Sequence, residues 1–126
     1  VTQLVLIDTS AWISFFQKRN DVAQVVQSLI LNNRVARCGM VELELRLGFK
    51  HDESALLSLF MSCTDLSTTS ADFTKAGEVL GKLRRGGRTL PASDGLIAAI
   101  AVRHGVPLLA DDTHFDYYPK LKLFRE

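Results

Sequence analysis

Leu4-Val5-Leu6-Ile7-Asp8-Thr9-Ser10 is an unbroken apolar run that ends on an acid and two hydroxyls. Four apolar residues without alternation form the pattern of a strand buried on both faces, as in a parallel sheet. The pattern returns at Val106-Pro107-Leu108-Leu109-Ala110, again followed by acids, Asp111 and Asp112. Between these runs, helical and strand-like segments alternate. This predicts an α/β fold with a central, mainly parallel sheet of 4–5 strands covered on both faces.

Working outward, Ala11, Trp12, Phe15 and Phe16 have helical spacing over Thr9–Gln17. Asp21 reads as the N-cap of a helix over Val22–Asn32, with Val22, Val25, Val26, Leu29 and Ile30 as its apolar stripe. A short strand is expected over Val35–Cys38, then helices over Met40–Phe49 and Glu53–Cys63. Asp65-Leu66-Ser67 offers a third strand. Ser70 is expected to cap a helix to about Leu83 with Phe73, Ala76, Val79, Leu80 and Leu83 on one face. Arg84-Arg85-Gly86-Gly87-Arg88 carries a loop signal. Ser93–His104 is a helix closed by Gly105, and Lys122–Phe124 a weak fifth strand.

A chain of 126 residues is expected to form one domain with a proper core. Its net charge of +1 excludes bulk polycation binding, so any nucleic-acid contact must come from a local patch. Cys38 and Cys63 form no CxxC pair and read as free thiols of a cytoplasmic protein. Neither a signal peptide at the start nor the roughly 20-residue apolar span needed to cross a bilayer is read here.

Loops at the carboxyl ends of parallel strands form the binding crevice of an open α/β sheet. Asp8 and Asp112 fall at such ends, and Asp94 opens the helix after Pro91. Clustered carboxylates repel one another, and a bound divalent cation relieves that repulsion. Each acid alone has a bland reading: Asp8 as N-cap, Asp94 as dipole partner in a first helical turn, Asp112 as a turn residue. Together at crevice positions they favour a metal site. Glu42 and Glu44 stand about 200° apart around a helix, so one of them at most faces the crevice. Glu44 has Gly48 one turn later, leaving room beside its carboxylate, whereas Glu42 has Arg46 at i+4 as a solvent ion pair.

The histidines are scattered. His51 reads as a solvated loop residue, His104 as a helix C-terminal residue, and His114 as an exposed turn residue near Asp112. No serine or cysteine nucleophile motif, phosphate-binding glycine loop or zinc spacing occurs. Lys82, Arg84, Arg85 and Arg88, interrupted by two glycines, are the one basic cluster able to hold a polyanion. Trp12, Phe15 and Phe16 beside the second helix are more apolar surface than one sheet face can bury, which suggests a protein interface.

These segments together resemble a PIN-domain ribonuclease of the VapC toxin family. The resemblance rests on Asp8-Thr9-Ser10 after a strand, on Val41-Glu42-Leu43-Glu44-Leu45-Arg46-Leu47-Gly48, on Ala92-Ser93-Asp94-Gly95-Leu96-Ile97-Ala98-Ala99, and on Leu109-Ala110-Asp111-Asp112-Thr113-His114-Phe115. It spans nearly the whole chain in order. It implies a PIN-like three-layer α/β/α fold over residues 1–126, with Asp8, Glu44, Asp94 and Asp112 as the catalytic acids. It further implies Mg²⁺ or Mn²⁺ held by Asp8, Asp94 and Asp112, with Glu44, Asp111 and Asp116 as further acids able to take part. The activity implied is hydrolysis of RNA. The implied partners are RNA at Arg84, Arg85 and Arg88, a VapB-type antitoxin at Trp12, Phe15 and Phe16, and a second copy of the chain. One departure is Ala110, where the family commonly carries Thr or Ser.

Two other classes compete. A non-catalytic PIN module that only binds RNA or protein would show a missing acid, and all four are present. A phosphoacceptor receiver domain needs an acidic pair after strand one and a Lys-Pro late in the chain. Asp8 stands alone and no Lys-Pro occurs.

Overall fold

The computed structural model describes residues 3–50 and 53–124. Its strands β1 (Val5–Ile7), β2 (Val35–Arg37), β3 (Thr64–Asp65) and β4 (Leu108–Leu109) form one parallel sheet in the order β3-β2-β1-β4. Leu6 sits opposite both Ala36 and Leu108, and all of β1 is buried, which is why that run shows no alternation. The expected fifth strand reduces to a single parallel bridge, Leu108 to Leu123.

Helices α1 (Thr9–Phe16) and α2 (Asn20–Leu31) connect β1 to β2, and α3 (Gly39–Gly48) and α4 (Ser54–Met61) connect β2 to β3. Helices α5 (Ser70–Arg85) and α6 (Ala92–His104) return the chain to β4, and a 3₁₀ helix, His114–Tyr117, follows. Right-handed crossovers in opposite directions along the sheet place the α5–α6 pair on the face opposite the others. The result is a three-layer α/β/α arrangement. The order of connections reverses between β1 and β4, so the crevice lies beyond the ends of those two strands.

Helix α6 carries much of the packing. Every residue from Gly95 to Ala101 is buried, and the small side chains there let the helix sit close to its neighbours. At Gly95 the approach is closest: a Cβ would lie 2.3 Å from Leu80 Cδ1 on α5. At the other end of the pair, Arg103 grips Asp72 with two bonds, Nε to Oδ1 at 2.7 Å and Nη2 to Oδ2 at 3.1 Å. Burial works against the Asp72 charge, but Arg103 and the Thr69 N–H more than offset it and hold the carboxyl below its usual range. His104 ends α6 as expected, with Nε2 2.9 Å from the Ser67 carbonyl oxygen.

Several local expectations change. Asp21 is not the cap of α2; the helix begins at Asn20, whose Oδ1 accepts the Val22 N–H at 2.9 Å. Thr69, not Ser70, caps α5, through a reciprocal box with Asp72. Arg84 and Arg85 belong to the last turn of α5 rather than to a loop, since cations there complement the helix dipole and Gly86 ends it. Phe73 lies outside the apolar face, 61% exposed. Trp12, read as partner surface, is fully buried against Phe15, Phe16 and Phe60. The core needed its large ring to fill the space between α1 and α4. His51 lies outside the described residues.

Candidate metal centre

Asp8 leaves the end of β1 and is only 2% exposed. Its Oδ1 caps α1, accepting the Ala11 N–H at 3.0 Å and the Ser10 hydroxyl at 2.8 Å. The described residues donate no hydrogen bond to Oδ2, so capping and ligation are compatible in one carboxylate. Burial pushes its pKa up to about 7; the Ala11 and Ser10 bonds work against that rise, and the charges of Asp112 and Asp94 add to it.

Asp94, in the first turn of α6, is half-buried. Burial raises its pKa as well, opposed by a hydrogen bond from His114 and reinforced by the charges of Asp112 and Glu44. Glu44, in the second turn of α3, accepts the Thr9 hydroxyl at Oε1 at 2.6 Å. Glu42 faces elsewhere and pairs with Arg46 at 2.9 Å, as the helical rotation required. Thus Asp112 and Asp94 act on Asp8, and Asp112 and Glu44 act on Asp94, although Asp8 and Glu44 stand outside the group of ligand atoms described below. Thr9 and Ser10 both donate to acids of the crevice. Each hydroxyl steadies a different acid.

Ser10 also accepts the Asp111 N–H at 2.9 Å, so its hydroxyl joins the ends of β1 and β4. A hydroxyl is therefore present beside the acids although residue 110 is alanine. Asp111 itself departs from its expected role. Its carboxylate takes the Ser14 hydroxyl and the Asn20 amide at 2.9 Å, bonds that hold its pKa below the usual range. That carboxylate ties the β4 loop to the α1–α2 junction. Asp116 is exposed on the 3₁₀ helix and is not part of the ligand group described next.

His114 was read as a turn residue, and the structure gives it more. Its Nδ1 lies 3.1 Å from Asp94 Oδ2 and 3.7 Å from Asp112 Oδ1. One ligand atom from each of Asp94, Asp112 and His114 falls within 4.8 Å of the others. The two-residue spacing from Asp112 was the only sequence signal for this, because the contact with Asp94 spans twenty positions. Two carboxylates and an imidazole, with the Asp94 carboxyl raised in pKa chiefly by burial, fit a divalent cation.

Of the basic residues, Arg88 stacks its guanidinium over the Tyr117 ring, 3.7 Å from the centroid, one 3₁₀ turn from His114. Arg84 and Arg85 are exposed. On the other side, Glu44 borders a groove of about 350 Å³ lined by Ile13, Phe16, Gly48, Phe49 and Leu56. Phe15 and Phe16 are half-buried, so each keeps a solvent-facing edge.

With this geometry in hand, the comparisons are specific. The PIN domain family model matches residues 5–121. The VapC ribonuclease Mb1587 of Mycobacterium bovis and ribonuclease VapC11 of Mycobacterium tuberculosis are each 32% identical over 125 residues, covering 94% of this chain and 93% of the relative. Among solved structures, VapBC2 of Rickettsia felis bound to a promoter DNA fragment superposes with a TM-score of 0.76 at 23% identity, over 97% of this chain and 98% of that one. DNA-bound VapBC of Salmonella typhimurium does so with 0.79 at 16% identity, over 98% of each. The chain belongs to the PIN domain family and, within it, to the VapC ribonucleases.

Proposed function

We propose that this chain, acting as a single domain, is a divalent-metal-dependent endoribonuclease and the toxin of a VapBC-type pair. What supports this is the grouping of Asp94, Asp112 and His114 ligand atoms within 4.8 Å of one another, with the buried Asp8 near enough that the charges of Asp112 and Asp94 help raise its pKa to about 7. Asp8, Asp94 and Asp112 would hold Mg²⁺ or Mn²⁺, and Glu44 takes part directly or through water. When bound, the cation supplies Lewis-acid polarisation of the phosphodiester and activation of the attacking water. The protein's own share is positioning. Ser10 and Thr9 hold the carboxylates of Asp8 and Glu44, and Arg88, with Arg84 and Arg85, offsets the charge of the RNA strand that bare carboxylates repel. A PIN module that only binds has no use for this cluster, because burying Asp8 beside two other acids costs stability that a cation restores.

The Rickettsia felis and Salmonella typhimurium structures are VapBC complexes bound to DNA. By extension, a VapB-type antitoxin is the partner of this chain, seated along Phe15, Phe16 and the adjoining groove. A homodimer is the assembly, and the cytoplasm, where Cys38 and Cys63 stay reduced, the place of action. Among the described residues no helix is long and apolar enough to cross a membrane. Incubation with single-stranded RNA tests the activity: cleavage in Mg²⁺ or Mn²⁺, none in EDTA, none for Asp94→Asn. Cleavage that survives EDTA would remove the metal mechanism.

A further inference from the structure

We infer that His114 is a direct ligand of the metal and biases the centre toward a transition ion, Mn²⁺, over Mg²⁺. This rests on the reading that the acids hold a divalent cation, and goes beyond it by adding a nitrogen donor. Both separations from the imidazole nitrogen suit one coordination shell. Metal–donor bonds of about 2.1 Å at right angles set neighbouring donors about 3.0 Å apart and opposite donors about 4.2 Å apart. His114 Nδ1 is 3.1 Å from Asp94 Oδ2 and 3.7 Å from Asp112 Oδ1, and the three ligand atoms all lie within 4.8 Å of one another. An ion seated among them would replace the proton that the Nδ1–Asp94 hydrogen bond carries.

The imidazole is also aimed by its surroundings. The His114 N–H donates to Asp112 Oδ1 at 3.0 Å, which fixes the turn that starts the 3₁₀ helix. The next residue, Phe115, is 1% exposed and anchors that helix in the core. Two residues from Asp112 along the chain, His114 therefore returns its ring toward Asp94 from a different element. Carboxylates suit Mg²⁺ and Mn²⁺ alike, but Mn²⁺, as a first-row transition ion, is the softer of the two and accepts a nitrogen donor at less cost than hard Mg²⁺ does. A carboxylate–carboxylate–imidazole set shifts preference accordingly.

Pulsed electron paramagnetic resonance of the full chain loaded with Mn²⁺ reads the ligand directly. Nitrogen-14 modulation from an imidazole is expected in the wild-type protein and is lost in His114→Ala. Competition of Mg²⁺ against bound Mn²⁺, followed by the signal of free Mn²⁺, reads the bias. The Mn²⁺/Mg²⁺ affinity ratio is expected to fall about tenfold or more in His114→Ala. His114→Asp, with an all-oxygen set, should recover Mg²⁺ binding but not the nitrogen signal. Bound Mn²⁺ without nitrogen modulation, or an unchanged ratio in His114→Ala, overturns the inference and leaves the carboxylate centre standing. A wild-type chain that binds no Mn²⁺ overturns both.

Discussion

Asp8 is the residue on which two demands meet. It caps α1 and sits buried beside other acids, so in the metal-free protein its charge is unfavourable. Its carboxyl titrates near 3.8 when exposed and at about 7 in the fold. Below 3.8 both states are protonated and the fold keeps its full stability. Between 3.8 and about 7 the unfolded chain ionises first, so stability falls as pH rises, and the loss is complete above the folded value. Asp8→Asn keeps the cap and removes the charge. In EDTA at pH 8 it is expected to be more stable than wild type by about 2–4 kcal/mol, with the difference vanishing near pH 4. Chemical unfolding at the two pH values checks this. Parallel stability profiles for the two proteins would show that Asp8 is not the strained group.

At the scale of elements, the α5–α6 pair sets where Asp94 stands. Gly95 follows that acid and touches Leu80 across the helix interface, where a Cβ would lie 2.3 Å from Cδ1 and 2.7 Å from Cγ. The crowding reaches the branch point of the leucine, so a terminal rotamer change cannot relieve it. Gly95→Ala is therefore expected to cost about 1–3 kcal/mol despite alanine's better helix propensity. Because α6 must shift to accept the methyl, metal affinity should weaken as well, readable by calorimetric titration. The pair Gly95→Ala with Leu80→Ala should recover the metal affinity. Failure of that rescue would mean that the contact does not position Asp94.

For the whole molecule, the proposed function divides the work of meeting RNA between acids and cations. Neutralising Arg84, Arg85 and Arg88 together is expected to weaken RNA binding and to flatten its dependence on salt, with metal affinity unchanged. Unaltered salt dependence would return those arginines to the role of solvated surface. A different surface should meet the protein partner. Phe16 packs on Trp12 at 5.5 Å and on Phe49 at 6.1 Å between ring centroids, yet keeps an exposed edge in the groove beside Glu44. Phe16→Glu is expected to weaken antitoxin binding by tenfold or more while a thermal melt stays cooperative and RNA cleavage persists. A cooperative fold with undiminished antitoxin binding would place the partner elsewhere.

Much of this was legible in the chain alone. Buried parallel strands are apolar without alternation, so β1 and β4 and the acids at their ends stand out along the sequence. Helical rotation separates Glu44 from Glu42, and the small residues of α6 announce close packing. What escaped depends on contacts between distant segments. Asp111 and Asp112 are neighbours of equal chemistry, and only Ser14 and Asn20, folded against the first, assign it to structure. His114 became a ligand candidate because Asp94 meets it across twenty positions. Trp12 has the helical spacing of a surface stripe, but Phe60 closes over it from α4. Local pattern determines which residues share a face; tertiary packing alone decides which faces are covered and which carboxylates come near one another.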